Sequence, residues 1–201
     1  TRLAKELIAR LEERARVLTG RCLPYGEGIT FWPVVEVLRD AAGIAATDSP
    51  AQSLGKLRAL LRPGHEGELI TARLAGLLGD EVAQPADQEL FWAIRKLLEQ
   101  LAATRPGVGV FDDIQWAEPT FLQMLEYLAD WAGRAPILVV CLARGELLDV
   151  RPDWATPRPN AELIPLLPLS DDETRQLVGG LVGGDRVDAA AEARISTVAE
   201  G

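Results

Sequence analysis

A short apolar segment that ends in two acidic residues constrains the fold of this chain most. The segment, residues 108–111, reads Val-Gly-Val-Phe, and Asp112 and Asp113 follow it directly. A brief continuous apolar run is typical of a parallel strand that is buried on both faces. Carboxylates at the point where such a strand meets solvent can hold Mg²⁺, a hard cation that prefers oxygen ligands. The alternative is an ordinary strand and turn, because aspartate is also common in turns.

Helical and strand patterns alternate along most of the chain. Apolar residues at three- and four-residue spacing predict helices, and short apolar runs between Gly and Pro predict strands. Strands that alternate with helices indicate a parallel sheet with right-handed crossovers, and therefore an α/β fold. The predicted strands are 16–22, 108–111, 137–143 and 162–167. The predicted helices are 1–15, 32–42, two within 50–78, 86–104, 118–132, one beginning at a capping box at 170–173, and 187–199.

Polar residues follow the predicted strands at the point where each strand ends. Asp112 and Asp113 follow one strand, Arg144 follows the next, and residues 25–27 follow the strand 16–22. Ligands of parallel sheets bind beyond the carboxyl ends of the strands. We therefore expect a binding site at this edge of the sheet.

Composition excludes several classes of protein. The net charge is −9, from 21 basic and 30 acidic residues, so this segment is a poor candidate for binding nucleic acid. No apolar run approaches the roughly 20 residues of a membrane span, and no signal peptide is visible, so we expect a cytoplasmic location. Cys22 and Cys141 are interpreted as small buried residues rather than a disulfide or metal pair. A single histidine, His65, argues against a histidine-dependent hydrolase or zinc enzyme.

Four stretches carry a resemblance to a known family. They are residues 20–33, 89–97, 111–120 and 141–144. In this order they resemble the AAA-type, STAND-like signalling ATPase domain of bacterial multidomain regulators. Such domains occur beside adenylate or guanylate cyclase domains and ahead of the helix-turn-helix output domains of LuxR-type regulators. Many relatives have His at position 115, where this chain has Gln, and Pro at position 145, where it has Gly.

The resemblance implies a fold, a cofactor pair and a role for each matched residue. The fold would be a P-loop NTPase-like parallel sheet flanked by helices over residues 1–169, followed by the start of a helical lid over 170–201. The cofactors would be ATP and Mg²⁺. Thr1 and Asp112 would hold Mg²⁺, and Asp113 would polarise the attacking water. Arg144 would contact the γ-phosphate, although the residues alone favour a solvated arginine at a strand end. Thr1 and Arg2 would also lie at the nucleotide.

The phosphate-binding motif G-x-x-x-x-G-K-[ST] does not occur in these 201 residues. Residues 1–7 instead resemble the stretch that directly follows Gly-Lys in many ATPases, although Thr1 could also be an ordinary helix N-cap. We therefore expect the first strand and the phosphate loop to lie upstream, and the printed chain alone to be inactive. The expected function is an ATP-binding, slowly hydrolysing switch domain attached to an output domain. The alternative is a non-catalytic scaffold that keeps the fold for protein contacts.

Overall fold

The computed structural model describes residues 2–24, 30–80, 85–131, 133, 135–156, 158–170, 172–173 and 176–177. The helices and strands follow the predicted alternation closely. They are α1 (Arg2–Leu11), β1 (Arg16–Arg21), α2 (Trp32–Ala42), α3 (Pro50–Leu60), α4 (His65–Leu74), α5 (Asp87–Ala102), β2 (Gly107–Asp112), α6 (Pro119–Trp131), β3 (Ile137–Cys141) and α7 (Glu146–Val150). Short 3₁₀ helices cover Ala75–Leu78, Ile114–Trp116 and Pro152–Ala155.

The three strands form one parallel sheet in the order β1–β2–β3. The register places Arg21 of β1 opposite Asp112 of β2, and Phe111 of β2 opposite Cys141 of β3. All three strands therefore end at the same edge of the sheet. The predicted parallel sheet flanked by helices is confirmed.

Successive residues of β2 face opposite layers of helices, as the pleat of a strand requires. Val108 and Val110 pack with Ile8 and Leu11 of α1 on one face. Phe111 faces the larger core on the other side, which α2, α5 and α6 fill, and its ring meets Phe121 at a centroid distance of 5.4 Å. The central strand is thus buried on both faces, which explains its continuous apolar sequence.

The start of α2 lies unusually close to β1. A methyl group placed on Gly20 would lie 2.3 Å from the carbonyl oxygen of Pro33, so only glycine permits this approach. Pro33 stands in the first turn of α2, where its missing N–H costs no hydrogen bond. Gly43 ends the helix in a left-handed conformation with φ of +63°. The predicted bounds of α2 are confirmed.

The structure differs from the prediction after residue 161. No regular structure is assigned to residues 162–170, where the sequence predicts a strand over 162–167. Pro165, inside the predicted strand, lacks the N–H that a strand interior donates, and Pro168 directly follows the predicted strand. The apolar side chains of this segment are exposed: Leu163, Ile164, Leu166, Leu167 and Leu169.

The capping box predicted at residue 170 is present. Ser170 Oγ accepts from the backbone N–H of Glu173 at 3.3 Å, and Glu173 accepts from the Ser170 backbone at 2.8 Å. The predicted helix over 187–199 lies outside the described residues. Contacts divide the chain into two units, residues 1–161 and 162–201. None of the described helices is long and apolar enough to cross a membrane.

Candidate functional site

Backbone hydrogen bonds continue beyond the strand ends and fix the loops of the predicted edge. The N–H of Cys22 donates to the carbonyl of Asp112 at 3.0 Å, and the N–H of Leu142 donates to Phe111 at 2.9 Å. The N–H of Ile114 then donates to Leu142 at 3.0 Å. The segments that carry the acidic and basic side chains are therefore held side by side.

Asp112 ends β2 with a half-buried carboxylate. Its Oδ1 accepts from the backbone N–H of Asp113 at 3.0 Å, and within the described ranges no basic side chain forms an ion pair with it. The residue borders a cavity of about 410 Å³, together with Lys5 of α1, Arg21 of β1 and Glu36 of α2. A carboxylate that forms no ion pair with the described residues and borders an open cavity suits a hard divalent cation, so this residue fits Mg²⁺.

Asp113 directly follows β2, in a left-handed backbone conformation with φ of +57°. Aspartate tolerates this conformation better than most residues. Oδ2 of Asp113 accepts from Nε and Nη2 of Arg21 at 2.8 and 2.6 Å, and Oδ1 accepts from Nε2 of Gln115 at 3.2 Å. The hydrogen bonds from Arg21 lower the pKa of Asp113 more than any other influence, and partial burial opposes them. Asp113 is therefore a carboxylate at neutral pH.

Arg144 follows β3 at the same edge and is linked to Asp113 through Gln115. The backbone N–H of Arg144 donates to Oε1 of Gln115 at 3.3 Å. The positive charge of Arg144 also contributes to the lowered pKa of Asp113. The Arg144 side chain is exposed, and its guanidinium makes no ion pair with any residue that the structure describes. It is therefore free to meet an anionic ligand.

Of the remaining predicted site residues the structure describes Arg2, and the contact of its side chain is not with the two acids. Thr1 and residues 25–27 lie outside the described residues. Arg2 begins α1, and its exposed side chain pairs with Glu6 at 3.2 Å. Sequence reasoning also overlooked Arg21, which the register places opposite Asp112. Its one available signal was an arginine at the carboxyl end of a predicted strand.

Comparisons with known proteins bear on the family of this chain. A family model for the AAA ATPase domain matches residues 1–140. An uncharacterized protein of Rhizobium meliloti (strain 1021) is 27% identical over 184 residues, which is 87% of this chain and 18% of the relative. The chain thus spans less than a fifth of the length of that relative. No solved structure matches the chain. Its P-loop NTPase-like sheet and the family match over residues 1–140 show that the chain belongs to the AAA ATPase domain family.

Proposed function

We propose that this chain is the ATP-binding, slowly hydrolysing switch domain of a bacterial signalling or transcription regulator. The observation that carries the proposal is the meeting of Asp112, Asp113 and Arg144 at one sheet edge, where Asp112 borders the cavity of about 410 Å³. Phosphoryl transfer suits such a site, because its catalysis rests on positioning and on neutralising charge rather than on covalent chemistry by the protein.

Each side chain has a separate task in this proposal. Asp112 would hold Mg²⁺, which supplies positive charge against the phosphates when it is bound. Asp113 would accept a hydrogen bond from the attacking water. Arg144 would contact the γ-phosphate, since neighbouring strands lie about 4.8 Å apart and an arginine spans that distance. On the family resemblance, Thr1 would complete the Mg²⁺ site, and Thr1 and Arg2 would lie beside the nucleotide.

The regulatory part of the proposal rests on the length of the matched relative and on the second unit of this chain. The matched relative is much longer than this chain, which leaves room for an output domain such as a cyclase or a helix-turn-helix domain. We place the nucleotide domain at residues 1–169 and the start of a helical lid at 170–201. The capping box at Ser170 supports a helix that begins there. The nucleotide state would shift the lid and thereby bias the output domain in the cytoplasm.

Steady-state ATP hydrolysis by the full-length protein tests the proposal. Asp113→Asn should lower kcat about 100-fold, because the amide is a poor proton acceptor. Arg144→Ala should lower kcat by about 1000-fold, since an arginine at the γ-phosphate stabilises charge in the transition state. The affinity for ATP should change little in both variants. Arg10→Ala, which removes an exposed arginine from the last turn of α1, is the matched control and should keep the parental kcat.

Two results would replace this proposal. If the full-length protein binds no ATP, the fold serves as the non-catalytic scaffold for protein contacts. If it hydrolyses ATP and both variants keep full activity, the reaction takes place without Asp113 and Arg144, and the site has been wrongly assigned.

A further inference from the structure

The carboxylate of Asp113 is almost fully occupied by hydrogen bonds from protein side chains. A carboxylate offers about four acceptor positions, two on each oxygen. Arg21 fills both positions of Oδ2, with its Nε at 2.8 Å and its Nη2 at 2.6 Å. Gln115 fills one position of Oδ1, at 3.2 Å. Among the donors in the described part of the chain, these leave a single acceptor position on this carboxylate, and it belongs to Oδ1.

The two donors come from different parts of the fold, so they fix both the place and the rotation of the carboxylate. Arg21 ends β1 and reaches across from the neighbouring strand. Gln115 lies in the 3₁₀ helix after β2, and its own Oε1 accepts from the backbone of Arg144 at 3.3 Å. A carboxamide can do this because it carries a donor and an acceptor on one rigid group. Gln115 thus connects Asp113 to the loop that carries Arg144.

We propose that Arg21 and Gln115 are positioning residues that fix the Asp113 carboxylate and leave one acceptor position on Oδ1 for the attacking water. This inference rests on the proposed function of Asp113. An acceptor with one free position holds a water in fewer orientations than a freely rotating carboxylate does. A reacting group held in one geometry gains rate, because the orientation is set before the reaction begins. Neither Arg21 nor Gln115 needs to touch ATP.

A double-mutant cycle on the full-length protein tests the role of Arg21. Arg21→Gln should lower kcat between about 10- and 100-fold and leave the KM for ATP within about twofold, because the carboxylate is loosened rather than removed. In an Asp113→Asn background the same change should lower kcat by less than about twofold. The effects of two substitutions are not additive when one residue acts through the other. Arg21→Lys keeps the charge and should recover part of the loss.

Matched variants separate positioning from a general effect on the fold. Gln115→Ala should lower kcat in the same way as Arg21→Gln, and by less in the Asp113→Asn background, where its hydrogen bond to the Arg144 backbone is the contact still lost. Arg58→Gln breaks another exposed arginine–carboxylate pair, with Glu68 at 3.2 Å, in the α3–α4 region. That control should leave kcat and KM unchanged.

The inference is overturned if Arg21→Gln lowers kcat equally with and without Asp113, because Arg21 would then act elsewhere. It is also overturned if Arg21→Gln and Gln115→Ala both keep the parental kcat. If the unmodified full-length protein does not hydrolyse ATP, the proposed function fails, and a structure of the Arg21→Gln protein decides the positioning role. A rotated Asp113 carboxylate supports that role, and an unchanged one overturns it.

Discussion

At the scale of single residues, the buried Cys22 thiol beside the site makes the free energy of unfolding depend on pH. Cys22 is buried behind the acids, and burial raises its pKa to about 12, with further contributions from the negative charges of Asp113 and Glu36. An exposed thiol has a pKa of about 8.5. Above about pH 8.5 the unfolded chain therefore releases a proton that the folded chain keeps. The stability that Cys22 contributes is complete below that pH and is lost as the pH rises toward 12.

We expect the free energy of unfolding to fall more steeply with pH above about 8.5 in the parent than in Cys22→Ala. The steepest contribution of one thiol is about 1.4 kcal/mol per pH unit. Urea unfolding of both proteins at a series of pH values between 7 and 10.5 measures the difference. The two curves should run parallel below pH 8. Parallel curves over the whole range would show that the thiol titrates normally in the folded protein.

Residue-scale prediction from sequence succeeded where the signal is local. The two acids stand at the end of an apolar run, so their position at a strand end follows from adjacent residues. The pairing of Arg21 with Asp113 spans 92 positions in the sequence. Only the strand register and the length of the arginine side chain decide that contact, and neither can be obtained from residue spacing. Sequence reasoning therefore placed Asp113 at the edge and did not find the side chain that holds it.

At the scale of elements, the contact between β1 and α2 is set by the absence of a side chain at Gly20. A Cβ there would lie 2.3 Å from the Pro33 carbonyl oxygen, and backbone cannot yield as a flexible side chain does. Gly20→Ala should therefore push α2 away from the sheet and destabilise the domain by about 1–3 kcal/mol, the usual cost of overpacking. Denaturant unfolding of the variant and its parent measures this loss.

Gly55→Ala is the matched control for that prediction. Gly55 lies inside α3, and no atom outside the helix lies within 4 Å of the position its Cβ would take. The same substitution should stabilise the protein there by about 0.5–1 kcal/mol, because alanine loses less backbone entropy in a helix. Equal effects of the two substitutions would contradict the close approach of α2 to β1.

Element-scale prediction from sequence depends on whether the pattern itself decides the structure. Pro33 and Gly43 bracket α2, and both act locally, so the predicted bounds match. By composition, the apolar run at 162–167 suits a strand as well as the runs that form β2 and β3 do. A strand also needs a neighbouring strand to pair with, and composition does not reveal one. Pro165 and Pro168 were the available signals against it.

At the scale of the whole molecule, ATP binding should raise the free energy of unfolding. A ligand that binds only the folded form adds about 2.7 kcal/mol when its concentration is 100 times its Kd. In the full-length protein we therefore expect ATP with Mg²⁺ to raise the unfolding temperature of the nucleotide domain. The share of this temperature rise that depends on Mg²⁺ should increase with the Mg²⁺ concentration at constant ATP.

The two acids should divide that stabilisation in a way that tests their separate assignments. Asp112→Asn should abolish most of the Mg²⁺-dependent part, because a neutral amide is a weaker ligand for a hard cation. Asp113→Asn should keep it, since this carboxylate is engaged by Arg21 and Gln115 and is proposed to act on water. Thermal unfolding with ATP alone, and with ATP and Mg²⁺, measures both parts. A loss of equal size in the two variants would mean that both acids hold the metal, and the water-orienting role of Asp113 would then be wrong.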